Sequence, residues 1–371
     1  MVTKRSVARS LTAPGKFESF KLWLPIDTKG SPIEEERRQA MNRREFLKTS
    51  SGIGSMLLAS SVTRGMEYIY PPSSAPVVFV KTTDRAAGVS RAIDLLGLEP
   101  FRGKDLFVKP NFNSADVTPG STHEDTLLAI LRKLKTMGAG PLTVGDRSGM
   151  GNTREVMEKK RAFLMGKELN AKVVVFDELG ADDWELIKQP DSHWQQGFAV
   201  PRIVRHAGGI VQTCCLKTHR YGGHFTLSLK NSVGLAAKYV PGNSYNFMRE
   251  LHSSPHQRRM IAEINAAYRP DLVVLDGVEA FTTGGPDSGK LVNANVILAG
   301  TDRVAVDAVG VALLRHFGTT PEVSQGTVFD QEQIARAVQL KIGVTDPKQI
   351  QIVTGDRASE EYAQQIRPLI N

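Results

Sequence analysis

Cysteine is scarce in this sequence of 371 residues, and its scarcity excludes several kinds of site. The two cysteines, Cys214 and Cys215, are adjacent. They cannot supply a disulfide framework, a zinc site made of thiolates alone or an iron–sulfur cluster. Because neighbours in a strand point to opposite faces, we interpret the pair as two small buried apolar side chains rather than as a redox centre.

Positive charge is in excess, but the main part of the chain has little of it. The formal net charge is +8. Up to Ser60 there are 11 lysines and arginines against 6 acidic residues, and the remainder carries 36 against 33. No later stripe of basic residues is interleaved with aromatic ones, as a nucleic-acid surface would require. We therefore expect no nucleic-acid partner.

The sequence also lacks an apolar run long enough to cross a bilayer, so we expect no stable membrane span. A mildly apolar stretch, 49–62, is short and rich in serine and glycine. It follows residues 42–48, in which Arg43 and Arg44 precede Phe-Leu-Lys. This order resembles a twin-arginine export signal. The resemblance implies that the twin-arginine export machinery moves the folded protein to the periplasm or outside the cell.

These features divide the chain into three parts. Residues 1–40 are polar and show no apolar period. We expect either a disordered extension or a segment that is not translated, in which case Met41 is the true start. Residues 41–63 form the predicted signal. Residues 75–371 form the predicted folded domain.

Short apolar runs alternate with helical patterns from residue 75 onward. Most of the runs lack a two-residue alternation, as expected for strands covered on both faces. The pattern predicts a single α/β domain whose mostly parallel sheet has helices on both faces. The predicted strands are 76–80, 106–108, 142–144, 173–176, 210–213, 272–275, 296–298 and 350–353. The predicted helices are 123–137, 153–168, 256–268, 303–316 and 329–339.

One stretch has the glycine and lysine spacing of a phosphate-binding loop. In residues 284–290 two glycines and a lysine match that spacing, but Leu291 stands where the magnesium-binding hydroxyl belongs. An apolar strand follows, whereas the phosphate loop needs a helix there. We therefore reject nucleoside triphosphate binding by this motif.

Compact polar side chains occur after several predicted strands, often beside glycine or proline. Ligands of open α/β sheets bind beyond the carboxyl ends of the strands. We therefore expect these side chains to converge on one cleft. The candidates are Lys109, Asn111, Asp146, Lys217, Thr218, His219, Lys230, Asn231, Asp276 and Asp302.

The residue types of this predicted cleft suit a small anionic ligand. We predict that Lys217, His219 and Lys230 are catalytic. Histidine transfers protons near neutral pH, and a lysine beside other cations can act as a base or as a Schiff-base nucleophile. Arg147 adds a further positive charge. The asparagines can orient ligand oxygens, and the aspartates can balance the lysines, act as bases or hold a divalent metal ion.

Two classes of function stay open. The first is an exported enzyme that acts on a small anionic substrate through lysine, histidine and aspartate. The second is an exported accessory protein that binds an anion or a metal without turnover. Composition and motifs name no cofactor.

Residues 215–231 are predicted to connect a central strand to the cleft. We expect the chain to leave the strand, turn through Gly222 and Gly223, and continue as a helix from about Thr226. Helical spacing would then direct Lys230 and Gly234 toward the cleft.

The order of several short motifs resembles one known family. Over roughly residues 75–320 the chain is similar to the bacterial family called "domain of unknown function 362". That resemblance implies a domain and a set of positions, but no reaction. Some members carry an appended ferredoxin-like cysteine segment, which this chain lacks. The motifs are Phe107-Val108-Lys109-Pro110-Asn111, Met137-Gly138-Ala139-Gly140 before Val144-Gly145-Asp146, Leu216-Lys217-Thr218-His219, Leu229-Lys230-Asn231 with Gly234, Asp276-Gly277, Gly285-Pro286 with Gly289, and Asp302 with Val306-Asp307.

Overall fold

Strands and helices alternate through the part of the chain that this computed structural model describes, residues 73–99 and 101–371. The strands are β1 (Ala75–Lys81), β2 (Leu106–Lys109), β3 (Leu142–Asp146), β4 (Ala171–Val175), β5 (Trp184–Ile187), β6 (Phe198–Pro201), β7 (Gly209–His219), β8 (His224–Thr226), β9 (Leu272–Gly284), β10 (Gly289–Gly300) and β11 (Ile350–Val353). The α-helices are α1 (Arg85–Leu96), α2 (Glu124–Thr136), α3 (Thr153–Lys159), α4 (Ala162–Leu169), α5 (Arg202–Arg205), α6 (Ser228–Asn231), α7 (Phe247–Ser253), α8 (Gln257–Ile264), α9 (Arg303–His316), α10 (Pro321–Ser324), α11 (Glu332–Gln339) and α12 (Arg357–Ile366).

One mixed sheet of nine strands organises the domain. Its order is β11-β1-β10-β9-β7-β2-β3-β4, and β8 pairs with β7. The run from β9 to β4 is parallel throughout, whereas β10 is antiparallel to both of its neighbours. Strands β5 and β6 form a separate antiparallel pair. The predicted α/β class with a mostly parallel sheet is confirmed.

Helices cover both faces of this sheet. Along β1, Val77 and Phe79 join an apolar cluster that includes α9, whereas Val78 and Val80 join a second cluster that includes α1 and α2. Successive side chains of a strand point to opposite faces, so the two clusters lie on opposite sides of the sheet. A sheet covered in this way has the continuous apolar strands that the sequence shows.

Strands β9 and β10 are longer than predicted and form a hairpin. The sequence predicts short strands at 272–275 and 296–298, but the pairing extends from Gly300 opposite Val273 to Gly289 opposite Gly284. Gly284 and Gly285 have φ values of 79° and 64°, a backbone region that glycine adopts readily. The residues with phosphate-loop spacing thus form the turn of this hairpin.

The described residues lie within one compact unit, Val62–Asn371. The predicted extension, 1–40, and the predicted export signal, 41–63, fall outside the residues described. Across residues 73–99 and 101–371, no helix combines the length and apolar character needed to cross a membrane.

Three neighbouring strands bring their carboxyl ends to the same edge of the sheet. Strands β7, β2 and β3 are consecutive and parallel. The residues that follow them therefore meet beyond this edge, where α/β proteins commonly bind ligands.

Candidate functional site

A cavity of about 540 Å³ lies beyond the carboxyl ends of β2, β3 and β7. The turn after α6 closes part of it. Most residues predicted for the cleft contribute to its wall. They are Lys109, Asn111, Asp146, Lys217, His219, Lys230 and Asn231.

A buried ion pair joins the ends of β2 and β3. Lys109 Nζ lies 2.7 Å from Asp146 Oδ1, and both side chains are 1% exposed. Lys109 also donates to the carbonyl oxygen of Pro110 at 2.6 Å. The Asp146 carboxylate accepts from the backbone N–H groups of Phe112 and Arg147, each at 2.7 Å. Burial lowers the pKa of Lys109, and the charge of Asp146 opposes that shift.

Two asparagines connect this ion pair to Lys217. The side-chain oxygen of Asn231 accepts from Lys109 Nζ and from Asn111 Nδ2, both at 3.1 Å. Asn231 Nδ2 donates to the carbonyl oxygen of Thr213 at 2.9 Å. Asn111 Oδ1 accepts from Lys217 Nζ at 3.2 Å. Protein groups thus already engage both amides, which fixes the two lysines relative to each other.

The chain passes directly over the ion pair at Gly234. A β-carbon at this position would lie 2.4 Å from Asp146 Oδ1 and 2.8 Å from Lys109 Nζ. Real β-carbons do not approach other atoms so closely. Glycine at 234 therefore lets the turn after α6 contact the ion pair.

Lys217 is buried without a carboxylate partner among the residues described. Its side chain is 0% exposed. Its ammonium donates to the carbonyl oxygen of Gly120 at 2.5 Å and to Asn111. Burial lowers the pKa of Lys217. The positive charge of this lysine is therefore held by neutral oxygens alone.

Lys230 is a buried cation of the cavity wall that no protein group holds in place among the described residues. Its side chain is 7% exposed, and its ammonium makes no hydrogen bond or ion pair within the described part of the chain. Burial lowers the pKa of Lys230 to about 7, with further contributions from the positive charges of Lys217 and Arg147. Near neutral pH this amine therefore exists in both protonation states.

His219 lies beside Lys230. A β-carbon at Gly223 would lie 2.4 Å from Lys230 Cε and 3.0 Å from His219 Nδ1, so both side chains adjoin the same backbone. His219 Nδ1 is buried and has no hydrogen-bond partner in the described structure. Burial, followed by the charges of Lys230 and Lys217, strongly lowers the pKa of His219. The imidazole is therefore neutral at physiological pH.

Arg147 supplies a second fixed cation. Its guanidinium donates to the carbonyl oxygens of Ala236 at 2.8 Å, Ser148 at 3.0 Å and Val233 at 3.0 Å. The side chain is 4% exposed. Like Lys217, Arg147 is held by neutral groups at its described contacts, which are these carbonyl oxygens and the sulfur of Met248 at 3.1 Å.

Positive charge dominates the wall of the cavity. Among residues 73–99 and 101–371, two carboxylates line it, and Lys109 pairs with one of them. The other, Asp177, accepts a hydrogen bond from Thr153. The cationic side chains that line the same cavity are Lys109, Arg147, Lys217, Lys230, Lys238 and Arg249.

Three predicted residues lie outside this wall, and the sheet explains each one. Thr218 alternates with Lys217 and His219 along β7 and instead donates to the carbonyl oxygen of Phe281 at 3.2 Å. Asp276 lies inside β9, because that strand continues to Gly284. Asp302 follows β10, whose antiparallel direction places its carboxyl end at the opposite edge.

The two aspartates have structural partners where they lie. Asp276 accepts from Arg85 Nε at 2.9 Å and from Thr126 Oγ1 at 2.6 Å. Asp302 caps α9 by accepting from the N–H groups of Val304 and Ala305, both at 2.9 Å. Neither carboxylate reaches the cavity, so the expectation that they share the cleft is wrong.

Residues 215–231 follow the predicted order of strand, turn and helix, but a short strand, β8, lies between the turn and the helix. The chain turns after His219, with φ of 78° at Gly222, and returns as β8 before α6 begins. The Asp307 carboxylate accepts from the N–H groups of Ser228 at 2.7 Å and Leu229 at 2.9 Å. Burial raises the pKa of Asp307 to about 7. This aspartate anchors the helix that carries Lys230.

Helix α7 adds residues that the sequence analysis assigned to no site. Asn246 caps this helix by accepting from the N–H of Arg249 at 2.8 Å. His252 Nδ1 donates to the carbonyl oxygen of Met248 at 2.7 Å. These four residues all line the cavity. The asparagine before Phe247, with Leu251 one turn later, is a sequence signal that could have predicted the helix.

The described residues offer no grouping of three or more histidine, cysteine, aspartate or glutamate side chains that could hold a metal ion. Asp146, the predicted cleft carboxylate nearest to the lysines, is engaged by Lys109 and two backbone N–H groups. The arrangement at this edge is therefore a carboxylate–lysine pair.

We predict that Gly234→Ala destabilises the protein by about 3 kcal/mol or more, because the new methyl group must separate the Lys109–Asp146 pair. Gly223→Ala is the matched control, since its methyl group meets the flexible end of Lys230, and we expect a change within about 1 kcal/mol. Urea unfolding of both variants measures the difference. Equal stability of the two variants would contradict this account of the ion pair.

Comparison with curated proteins finds no match to this sequence. The model of a family described as a domain of unknown function, DUF362, matches residues 106–312. The matched region covers more than half of the 371 residues and includes every residue that lines the cavity. The resemblance found in the sequence is confirmed, and the chain belongs to the family called domain of unknown function 362.

Proposed function

We propose that the protein is an enzyme that binds a small anion in this cavity and acts on it through Lys230 and His219. The observation that carries the proposal is the state of Lys230, a buried amine that has no counter-ion among the described residues and lies in a wall rich in cations. Burying a cation without an opposite charge is unfavourable. A bound carboxylate or phosphate would offset that cost at Lys230, Lys217 and Arg147 together.

The protonation states support proton transfer. A group is an efficient general base or acid when its pKa lies near the working pH. Lys230 has a pKa of about 7, and its neighbour His219 is neutral. Lys230 can therefore accept and return a proton near neutral pH, and the neutral imidazole of His219 can accept a hydrogen bond. Turnover that depends on the Lys230 amine would distinguish an enzyme from an accessory protein that only holds the anion.

We predict that phosphate, sulfate and malonate raise the melting temperature at low ionic strength. At an anion concentration 100 times the dissociation constant the stabilisation is about 2.7 kcal/mol, which corresponds to several degrees. Lys217→Met and Lys230→Met should each remove most of the shift. Lys172→Met, a change on the exposed part of β4, is the matched control and should keep it. Shifts that survive both cavity substitutions would contradict the proposed site.

The pH dependence of stability follows from Lys230. Its pKa is about 7 in the folded protein, against about 10.4 in an unfolded chain. Between these values the unfolded chain binds more protons, so this residue makes the free energy of unfolding rise with pH from about 7 to 10. Below pH 7 its full destabilising effect is present. Lys230→Met removes that effect.

We therefore predict that, without multivalent anions, Lys230→Met is more stable than the wild type at pH 6 and that its advantage shrinks toward pH 10. Lys109→Met is the matched control. It leaves Asp146 buried without its counter-ion and should lower stability by about 3–5 kcal/mol near neutral pH. Denaturant unfolding at several pH values measures both changes. A Lys230→Met variant less stable than the wild type at pH 6 would refute the unpaired state of this lysine.

We also propose that the twin-arginine machinery exports the protein, on the order of the motif at 42–48. Changing Arg43 and Arg44 to lysine should leave the precursor in the cytoplasm of a bacterial host. The matched control changes Arg37 and Arg38, a second arginine pair outside the motif, and should be exported normally. Fractionation and immunoblotting measure both. Unaltered export of the Arg43/Arg44 variant would contradict the proposal.

A further inference from the structure

Two unpartnered nitrogens lie against the same stretch of backbone in the cavity. Within the described residues, His219 Nδ1 is buried without a hydrogen-bond partner, and Lys230 Nζ makes no hydrogen bond or ion pair. Both side chains adjoin Gly223. Buried polar atoms normally have partners, and unsatisfied ones often mark a functional position. Each of these two nitrogens is free to engage a ligand.

The other cations near Lys230 differ from it in being fixed. Lys217 donates to Gly120 and Asn111, and Arg147 donates to several backbone carbonyl oxygens. These hydrogen bonds hold the positive charges of Lys217 and Arg147 in place. The nitrogen atoms of both side chains already donate to protein groups. The cavity therefore combines fixed positive charges, which hold an anion, with the buried and unpartnered amine of Lys230, which can react.

We propose that Lys230 forms an imine with a small oxo acid, a molecule that carries a carbonyl group next to or near a carboxylate. The fixed cations attract the carboxylate, and the unpartnered Nδ1 of His219 accepts a hydrogen bond from the water that carries the protons of imine formation. This inference rests on the proposed anion site and specifies its substrate class. The cavity of about 540 Å³ accommodates a molecule of this size.

The step balances without an oxidant, a reductant or a cofactor. The lone pair of Lys230 Nζ attacks the carbonyl carbon, a C–N bond forms, and the carbonyl π electrons move to oxygen. Two protons leave the nitrogen in succession and reach the departing oxygen through a water molecule, and His219 Nδ1 positions this water by accepting a hydrogen bond from it. The C–O bond breaks, one water molecule leaves, and a C=N bond remains. An amine desolvated beside another cation is a known way to prepare such a nucleophile.

The same environment makes Lys230 more reactive toward a carbonyl group at pH 7 than an exposed lysine. With a pKa of about 7, about half of the Lys230 side chains are free amines at pH 7. For an exposed lysine with a pKa near 10.4, the free fraction is on the order of one in a thousand. Imine formation at neutral pH should therefore favour Lys230 over exposed lysines by about 100-fold or more.

The test traps the imine by reduction. The full protein is mixed at pH 7 with glyoxylate, pyruvate or 2-oxoglutarate and with sodium cyanoborohydride, and the product is read by intact mass and peptide mapping. We expect an adduct on Lys230 whose mass equals that of the acid less one oxygen atom. Lys230→Arg should lose it. His219→Leu, which removes the hydrogen-bond acceptor, should slow trapping about tenfold or more, with the anion-induced melting shift unchanged.

Three further comparisons separate the possible results. Acetone, a carbonyl compound without a carboxylate, should be trapped at least about tenfold more slowly than pyruvate. Exposed Lys172 is the internal reference within every peptide map. Gly223→Ala, which displaces Lys230 Cε, should lower trapping while the protein stays folded. Labelling of Lys172 at the rate of Lys230 would overturn the imine proposal.

Lactate distinguishes failure of this inference from failure of the anion site. Lactate has the carboxylate of pyruvate but no carbonyl group, so it can bind but cannot form an imine. If lactate and pyruvate both raise the melting temperature and no adduct forms on Lys230, the imine is refuted and the anion site stands. If neither acid raises it and no adduct forms, both proposals are wrong.

Discussion

The buried ion pair between Lys109 and Asp146 is the interaction on which the rest of the site depends. It joins the ends of β2 and β3, and Gly234 brings the turn after α6 onto it. The ion pair also neutralises the charge of Asp146, the cleft carboxylate nearest to the lysines. Lys217 and Lys230, which arrive from β7 and α6, are therefore left without an acidic partner among the described residues. One satisfied pair thus creates a cavity with unsatisfied positive charge.

Buried cations without acidic partners lower the stability of the fold. Neutral oxygen atoms of the protein offset part of this cost by accepting hydrogen bonds from these cations. Carbonyl groups and Asn111 hold Lys217, and backbone carbonyls hold Arg147. Asp307 acts from outside the cavity by anchoring the N–H groups at the start of α6. Lys230 receives no such support within the described structure. A buried ionisable group whose pKa is shifted by burial and like charges, and which lies in a cavity, is a common mark of a functional position.

The sequence predicted the fold class, and most of its candidate site residues do line the cavity, because continuous apolar strands and the polar residues after them are local signals. It failed where a residue's position depends on partners distant in the chain. Asp302 looks like a cleft residue until the antiparallel direction of β10 is known. Asp276 also looks like a cleft residue until the full length of β9 is known. Strand alternation predicts that Thr218 points away from its neighbours, and this signal could have excluded it.

The most direct test of the central claim is the pKa of Lys230 in solution. NMR of protein labelled with ¹³C at lysine Cε, titrated with pH, resolves the ionisation of individual lysines. The Lys230→Met variant assigns the signal by its disappearance. Without multivalent anions we predict a midpoint near 7, because burial and the charges of Lys217 and Arg147 disfavour the ammonium form. A midpoint near the ordinary lysine value of about 10.4 would contradict the account.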